Sequence, residues 1–291
     1  MHIVRWSHTD TNGVRFGLLI DGMVADAGTA EEAGLAPGTG LEGLFGGGLQ
    51  ALMDLEARAV TRTRRPAADV RLHAPLVRPG KILCAGLNYR AHAEEQSKQP
   101  PERPRLFLKP HTAIIGPGEE IVIPEFCEHT DPEVELAVVI GKTAKNVKAT
   151  RANMYIAGYT ILNDFTDRKV QKDDVQYSRA KGFDTFCPLG PAIVTKDEVS
   201  NPGDLRITLS VDGETRQDAR TSDLVHSVPE LVAYASRGMT LEPGDVIATG
   251  TPSGVGVYRE PKVFIQPGQR IRCEIEGLGV LENPVTREAA K

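Results

Sequence analysis

Two glutamates separated by one residue stand at the entrance to a strongly apolar run, residues 136–140. The β-branched residues of this run are typical of a strand buried on both faces. Because side chains alternate along a strand, Glu133 and Glu135 point to the same side. Moving two like charges out of water costs several kcal/mol each, so the pair favours a shared cation or a shared proton. The alternative is an edge strand whose two glutamates are solvated.

A second apolar run, residues 155–162, is followed by Asn163 and a third carboxylate, Asp164. Three carboxylates at strand ends match the oxygen ligands of a hard divalent cation that keeps water in its open positions. Neither run contains histidine or cysteine, which makes zinc or copper a poorer match. The pattern therefore predicts a divalent-metal site formed by Glu133, Glu135 and Asp164.

A polar segment, residues 91–98, contains His92 and Glu95 and is followed by two prolines at 100 and 101. On a helical turn, side chains three residues apart share a face. A carboxylate that accepts a hydrogen bond from one imidazole nitrogen leaves the other nitrogen basic, which is how a general base is built. The alternative is a solvated surface helix. Since residues 91–101 have few apolar anchors, we also expect this segment to act as a lid.

Arg168 and Gln171 follow Asp164 by four and seven residues, so a helical turn starting here would return both to the face of that carboxylate. The planar fork of Arg168 suits a substrate carboxylate, although surface ion pairing is equally compatible with the pattern. Lys181, further along, is either a solvated surface group or a charge that balances anionic substrate oxygens.

A glycine-rich loop, residues 250–256, follows a predicted strand. It lacks the Lys-Ser/Thr pair of a phosphate-binding loop, and no helix clearly follows, so nucleotide binding is poorly supported. The sequence favours close backbone approach to a small ligand, with Thr251 as a hydroxyl donor.

The composition is that of an ordinary globular chain, with 291 residues and a formal net charge of −5. No basic run predicts a nucleic-acid partner, and no apolar stretch reaches the ~20 residues of a membrane span. The first residues lack the apolar core of a signal peptide. The cysteines are scattered, which predicts reduced thiols and a cytoplasmic location; they are Cys84, Cys127, Cys187 and Cys273.

The elements that must position these residues are mainly strands. Residues 2–28 are predicted to form a small antiparallel unit, with hairpin turns at residues 11–13 (Thr-Asn-Gly) and at Asp21-Gly22. A helix is predicted around residues 49–58, and another over residues 227–236 with Pro229 in its first turn. An extended connector follows the first helix, and the predicted boundary of an N-terminal domain lies near residue 75.

Six motifs, taken together and in order, resemble the fumarylacetoacetate hydrolase family over residues 80 to 285. The motifs are residues 86–92 (Gly-Leu-Asn-Tyr-Arg-Ala-His), 107–110 (Phe-Leu-Lys-Pro), 131–135 (Asp-Pro-Glu-Val-Glu), 163–168 (Asn-Asp-Phe-Thr-Asp-Arg), 181–184 (Lys-Gly-Phe-Asp) and 249–256 (Thr-Gly-Thr-Pro-Ser-Gly-Val-Gly).

The resemblance implies an α+β fold that is mostly β. A catalytic domain over residues 76–291, with a mixed sheet rolled into a sandwich-like barrel, would follow a small N-terminal α+β domain over residues 1–75. It also implies a homodimer, and one Mg²⁺ or Mn²⁺ per subunit held by Glu133, Glu135 and Asp164. The catalytic residues that it implies are His92, Glu95 and Lys181. The residues assigned to substrate binding are Tyr89, Arg90, Arg168, Gln171 and Thr251.

The reaction expected first is hydrolysis of a C–C bond in a 2,4-diketo acid of the acylpyruvate, fumarylpyruvate or diketo-deoxy sugar acid type. Water activated by His92 and Glu95 would attack a carbonyl, and an enolate would depart. Acylpyruvate-cleaving relatives often carry Gly-Arg-Asn-Tyr where this chain has Leu87 in place of arginine, which favours other substrates. An oxaloacetate-type decarboxylase or a keto–enol tautomerase at the same site remains open, as does a non-catalytic metabolite-binding protein.

Overall fold

The computed structural model describes residues 1–11 and 13–289. Asn12, at the centre of the first predicted turn, lies outside the described residues, as do the last two residues of the predicted catalytic domain. The second predicted turn is confirmed, because Asp21 and Gly22 both have positive φ between two paired strands.

Strands dominate the described chain. They are β1 (His2–Ser7), β2 (Arg15–Ile20), β3 (Met23–Gly28), β4 (Arg64–Pro66), β5 (Arg71–His73), β6 (Ile82–Gly86), β7 (Arg105–Lys109), β8 (Ile114–Ile115), β9 (Ile121–Ile123), β10 (Thr130–Asp131), β11 (Val134–Ile140), β12 (Ile156–Asn163), β13 (Thr166–Asp167), β14 (Cys187–Thr195), β15 (Arg206–Val211), β16 (Glu214–Arg220), β17 (Val246–Ala248), β18 (Arg270–Ile275) and β19 (Gly279–Arg287).

The helices are short and lie between strands. The α-helices are α1 (Leu41–Gly46), α2 (Gly48–Thr61), α3 (Arg90–Glu95), α4 (Arg168–Asp174), α5 (Tyr177–Ala180) and α6 (Val228–Ala235). The 3₁₀ helices are Glu31–Ala33, Ala67–Asp69, His111–Ala113, Ala149–Tyr155, Thr221–Asp223 and Gly256–Tyr258. Helices α2 and α6 confirm the two predicted helices. Pro229 lies in the first turn of α6, where its missing N–H costs nothing, and Ser227 and Glu230 form a capping box there. None of the helices in the described ranges is both long and apolar enough to cross a bilayer.

The largest sheet is mixed. Its strands follow the order β4-β3-β2-β1-β14-β12-β11-β17-β6-β7, with β5 paired to β1 and β8 paired to β14. A second sheet has the order β16-β15-β18-β19-β9, and β10 pairs with β13 separately. This mostly β architecture with mixed sheets confirms the predicted fold class.

Strand β11 lies in the middle of the large sheet, and all seven of its residues are buried. Leu136, Val138 and Ile140 face the core shared with the second sheet, whereas Ala137 and Val139 face the core shared with α1 and α2. The prediction of a strand buried on both faces is therefore confirmed. Since side chains alternate, Glu133 and Glu135 lie on the side of Ala137 and Val139.

The antiparallel register of β11 and β12 brings the predicted carboxylates together. Val134 pairs with Asn163, so Glu133 and Asp164 are opposite each other just beyond the paired segment. The Asp164 N–H donates to the Glu133 carbonyl oxygen at 2.8 Å, which holds this register at the end of the sheet.

The predicted boundary near residue 75 falls between β5 and β6. Strand β1 pairs with β14 across this boundary, with Ile3 opposite Ile193. Apolar residues of α1 and α2 share a core with residues of β6, β11, β12 and β14. The first strands therefore extend the large sheet, and the division into two domains stays a prediction.

Candidate functional site

Three buried carboxylates meet at the end of β11 and β12. Glu133, Glu135 and Asp164 each offer an oxygen atom, and these oxygens all lie within 4.8 Å of one another. The residues are exposed by 4%, 2% and 0% respectively, so solvated edge glutamates are excluded. The structure thus brings together the three residues that strand spacing predicted for the divalent cation.

Two lysines lie against the Asp164 end of this group. The Lys181 ammonium donates to Glu133 Oε2 at 2.7 Å, to Asp164 Oδ2 at 2.6 Å and to Thr166 Oγ1 at 2.8 Å. The Lys109 ammonium donates to Asp164 Oδ1 at 2.6 Å and to the Phe186 carbonyl oxygen at 2.9 Å. Lys181 is therefore buried within the site and is not a solvated surface group.

The charges are unevenly shared among the three carboxylates. Burial opposes ionisation of Glu133, but Lys181 and Arg168 outweigh it and hold the pKa of that carboxyl well below its usual range. For Glu135, burial together with repulsion from Asp164 and Glu133 raises the pKa well above its usual range. Its Oε2 atom accepts a hydrogen bond from the Gly250 N–H at 2.8 Å.

This donor set fits a divalent cation. Carboxylate oxygens are the ligands that Mg²⁺ and Mn²⁺ favour, and a dication would offset the repulsion that raises the pKa of Glu135. Glu133, Glu135 and Asp164 are the residues that would hold it.

Arg168 opens α4 and is anchored by two carboxylates. Its Nε atom donates to Asp131 Oδ2 at 2.9 Å, and its Nη2 atom lies 2.6 Å from Glu133 Oε1. Its Nη1 atom donates to Gln171 Oε1 at 3.1 Å, as the spacing on one helical turn predicted. The side chain is only 8% exposed, so the alternative of surface ion pairing is wrong. Much of the guanidinium is occupied by the protein's own acidic groups, which leaves less of it for a substrate than expected.

His92 and Glu95 lie on one face of α3, as their spacing predicted. His92 Nδ1 and Glu95 Oε1 are 2.5 Å apart, and the Gly254 N–H donates to Glu95 Oε2 at 2.8 Å. His92 is 5% exposed, so this face of α3 is not a solvated surface. Helix α3 ends at Glu95, before the two prolines, and Gln96 and Ser97 begin the following turn.

The glycine-rich loop donates backbone hydrogen bonds to three carboxylates of the site. These bonds run from Gly250 to Glu135, from Gly254 to Glu95 and from Gly256 to Asp131, each at 2.8 Å. A Cβ atom at Gly254 would lie 2.1 Å from the Arg216 carbonyl oxygen, and one at Gly256 would lie 1.8 Å from that of Val263. The backbone of this loop does approach other groups closely, as predicted, but those groups are carboxylates of the protein and not a ligand.

One cavity of about 310 Å³ collects most of these residues. Eight predicted residues line it, namely His92, Glu133, Glu135, Asp164, Arg168, Gln171, Lys181 and Thr251. Glu95 is not among the lining residues and contacts the cavity through His92. The Thr251 hydroxyl is held by the amide of Gln217, whose oxygen in turn accepts from the Val134 N–H.

Tyr89 and Arg90 are not among the residues that line the cavity. Tyr89 is fully buried in extended backbone just before α3, and it forms a bridge with Leu224. The Arg90 side chain is 54% exposed and lies 3.8 Å from Asp223 Oδ1. Their proximity to His92 in the chain does not place them in the pocket, because extended backbone and the first helical turn direct both away.

Sequence reasoning gave no role to several residues that the fold brings to the site. Lys109 and Asp131 lay within the family motifs but carried no assigned role. Gln96, Lys98 and Tyr258 line the cavity and had no motif signal.

Replacing Asp131 by Asn is expected to lower kcat/KM about ten- to a hundredfold and to reduce the free energy of unfolding by about 1–3 kcal/mol, because the Arg168–Asp131 pair is buried. An amide oxygen can still accept from Gly256, but its NH₂ group cannot accept from Arg168, which would lose a charged hydrogen bond of about 1–3 kcal/mol. Steady-state kinetics should show the loss. Asp212→Asn, in an exposed hairpin turn, is the matched control. Equal effects of the two changes would contradict the role of Asp131 in holding Arg168.

A comparison with known protein families assigns the part of the chain that forms this site. A family model described as fumarylacetoacetate (FAA) hydrolase C-terminal matches residues 81–286. The chain belongs to the fumarylacetoacetate hydrolase family. The match covers β6 to β19, the part of the chain that contains every residue of the cavity.

Relatives within the fumarylacetoacetate hydrolase family carry different reaction names. The chain is 46% identical over 222 residues to the oxaloacetate tautomerase FAHD2A, mitochondrial, of Homo sapiens, covering 76% of this chain and 71% of the relative. It is 34% identical to the crystal structure of maleylpyruvate hydrolase from Sphingobium sp. SYK-6 in complex with manganese (II) ion and pyruvate, with a TM-score of 0.83 and coverage of 99% and 100%. It is 40% identical to 5-carboxymethyl-2-hydroxymuconate delta-isomerase from Mycobacterium smegmatis, with a TM-score of 0.77 and complete coverage of both chains.

These relatives of the fumarylacetoacetate hydrolase family are enzymes, and their names describe a tautomerase, a hydrolase and an isomerase. Hydrolysis is therefore one of several reactions found in the family, and family membership alone does not select it.

Proposed function

We propose that this protein is a divalent-metal-dependent enzyme that interconverts the keto and enol forms of an oxaloacetate-type 2-oxo dicarboxylate. The observation that carries the proposal is that three buried carboxylates and His92 line the same cavity. The 46% identity to a protein named oxaloacetate tautomerase supports the choice of reaction. The structure that holds Mn²⁺ and pyruvate supports the cofactor and a 2-oxo acid ligand.

The lining of the cavity suits a dianionic substrate. Arg168 and Lys181 lie in its buried part, and Lys98 and Lys172 are exposed basic residues of the same lining. The outer lysines favour a carboxylate of the substrate. Arg168 and Lys181 are paired with acidic groups of the protein and supply positive charge near the ligand instead of a direct bond to it. Gln171 and Thr251 add polar groups that can orient the ligand.

The proton is moved by His92. With Glu95 holding Nδ1, the Nε2 atom accepts a proton from C3 of the keto acid and the imidazolium then returns it to the oxygen on C2, which yields the enol. Lys181 provides positive charge where negative charge develops on that oxygen. When bound to Glu133, Glu135 and Asp164, a divalent cation supplies Lewis-acid stabilisation of the same developing charge.

Hydrolysis of a 2,4-diketo acid, the reaction expected first from the sequence, is the second candidate. The same His92–Glu95 pair could activate a water instead of accepting a carbon-bound proton. The 34% identity to maleylpyruvate hydrolase over the whole chain favours keeping this candidate. Loss of CO₂ from oxaloacetate would use the same site without any attacking water.

A substrate panel with Mn²⁺ or Mg²⁺ tests the proposal. Loss of enol absorbance from oxaloacetate, CO₂ release, and C–C cleavage of acylpyruvates and diketo-deoxy sugar acids would be measured on one preparation. We expect keto–enol interconversion to have the highest kcat/KM. A higher value for C–C cleavage would reject the tautomerase in favour of the hydrolase, and inactivity on the whole panel would favour a non-catalytic binding protein.

We expect the segment over residues 91–101 to be a lid over this cavity. It is tied to the rest of the protein by few polar contacts, which include the bond from Gly254 to Glu95 and the 2.9 Å contact between His226 Nε2 and the Pro101 carbonyl oxygen. Addition of oxalate, an enolate mimic, with Mn²⁺ should slow amide hydrogen exchange in this segment. The hairpin of β15 and β16 serves as internal reference. Equal exchange with and without oxalate would rule out the lid.

The homodimer implied by the resemblance and the cytoplasmic location predicted from the scattered cysteines stay predictions. All four cysteines are free and buried, which is compatible with a reducing compartment.

A further inference from the structure

The two ring nitrogens of His92 have different partners. Nδ1 faces the Glu95 carboxylate at 2.5 Å. An ionised carboxylate can only accept hydrogen bonds, so Nδ1 carries a proton, and in the neutral imidazole Nε2 then carries the free lone pair. The basic atom of the pair is therefore Nε2.

That lone pair is already occupied by a side chain of the protein. The Gln96 amide nitrogen lies 2.8 Å from His92 Nε2. The Lys98 ammonium donates to Gln96 Oε1 at 2.9 Å. An ammonium only donates, so the amide oxygen faces Lys98 and the amide NH₂ faces His92. Two independent neighbours thus agree on one orientation of the Gln96 amide.

The position of the Gln96 nitrogen is where a water would have to bind in order to be activated. Donor–acceptor distances of 2.7–3.2 Å apply to both groups. The amide is tethered to the same short segment as His92, so its effective concentration at Nε2 is high. Gln96, Lys98 and His92 all line the cavity, so the contact lies where substrate enters.

We propose that Gln96 selects the reaction of His92. Its amide occupies the place next to Nε2 where a water would bind, so His92 takes a proton from bound substrate instead of activating water. A substrate fixed by the cavity can displace the amide, whereas a free water competes poorly for the same lone pair. This inference rests on the proposed keto–enol function, and it makes Gln96 a residue that selects between reactions of the family.

The two reactions differ in their need for water. In the interconversion, one C3–H bond breaks, one O–H bond forms, and His92 carries the proton, so nothing is added to the substrate. In hydrolysis, water gives its proton to Nε2 and its oxygen to the carbonyl carbon, the C–C bond breaks, and the departing carbon is protonated. Only hydrolysis needs a water next to Nε2. Both reactions require the amide to leave that lone pair, but a substrate held by the cavity displaces it more readily than a free water does.

The test compares the hydrolysis rate of an acylpyruvate with the interconversion rate of oxaloacetate for the same protein. Gln96→Ala removes the amide and opens space for water, so the ratio of hydrolysis to interconversion should rise on the order of tenfold, the size of one net hydrogen bond. Gln96→Met fills the space without donating, so its ratio should stay within about threefold of the parent. Gln99→Ala, at an exposed position of the same segment, is the matched control.

A second readout does not depend on activity. In ¹⁵N spectra of the resting protein, His92 should be the Nδ1–H tautomer, and Gln96→Ala should shift the Nε2 resonance while Gln99→Ala should not. A protonated Nε2, or an unshifted resonance in Gln96→Ala, would overturn the contact. A shifted resonance with an unchanged ratio would overturn the selection. If the parent hydrolyses acylpyruvates faster than it interconverts oxaloacetate, the proposed function fails, and the spectra still decide whether Gln96 binds the base.

Discussion

Replacing Glu135 by Gln is expected to abolish metal-dependent activity while making the metal-free protein more stable. The change replaces one of the three carboxylates that would hold a divalent cation by a neutral amide, and we expect kcat to fall by about three orders of magnitude or more, the scale on which loss of an essential charged group acts. Without metal, however, the Glu135 carboxylate is buried against two other acidic groups. An amide there can donate to Glu133 or Asp164, which should raise the free energy of unfolding by about 1–3 kcal/mol.

The stability difference should depend on pH in a defined direction. Burial and the neighbouring carboxylates raise the pKa of Glu135 in the folded state above its unfolded value of about 4.3. The folded protein then binds a proton that the unfolded chain has lost, so stability falls as pH rises from that value through the folded pKa. The gap between Glu135→Gln and the parent should be small near pH 4 and wider at pH 8.

Thermal unfolding in EDTA, followed at both pH values, measures this gap, and activity is assayed separately with Mn²⁺. Glu94→Gln, at an exposed position of α3, is the matched control and should change neither quantity. A Glu135→Gln protein that keeps its metal-dependent activity would disprove the assignment of the ligand. A Glu135→Gln protein with a lower melting temperature than the parent in EDTA would show that repulsion from Asp164 and Glu133 does not destabilise the metal-free protein.

Replacing Lys109 by Met is expected to cost about 3–5 kcal/mol of stability, the largest effect on folding that we predict. The Lys109 side chain is 0% exposed and bonds directly to Asp164. Methionine keeps the apolar stem but leaves part of the Asp164 charge unpaired in a site shielded from water. Activity should fall as well, because Asp164 would lose one of the two lysines that orient its oxygens.

Denaturation in guanidinium chloride measures the loss, with Lys145→Met at an exposed position as the control. The double change of Lys109→Met and Asp164→Asn removes both charges and should recover part of the stability without recovering activity. If the two changes were simply additive, the pair would not be coupled, and Lys109 would have to act through the Phe186 carbonyl oxygen instead.

The sequence alone determined those parts of the site that follow from local geometry. Glu133 and Glu135 share a side because a strand repeats every two residues, and both line the cavity, Glu135 from β11 and Glu133 from the residue just before it. His92 and Glu95 meet because a helical turn brings residues three apart together, and α3 places them 2.5 Å apart. The same spacing argument joined Arg168 to Gln171. Each of these pairs needs only one element to form.

Local geometry did not predict correctly where residues next to these pairs in the chain point. Tyr89 directly precedes α3 and Arg90 is its first residue, yet neither lines the cavity. Position along the chain does not say which way a side chain points where extended backbone changes into helix. The contacts that tie Arg168 to Asp131 on β10 and to Glu133 just before β11 likewise depend on the tertiary structure.

Only the tertiary structure decided which distant groups complete the site. Lys109 reaches Asp164 across 55 residues of sequence, and Gly250 reaches Glu135 across 115, because β12, β11, β17, β6 and β7 are neighbours in one sheet. Sequence periodicity describes one strand at a time, whereas strand order and register arise from how both faces of the sheet are buried. The glycine-rich loop shows the same limit. The sequence predicted that its backbone approaches a small ligand, whereas in the fold three of its N–H groups donate to carboxylates of the protein at 2.8 Å.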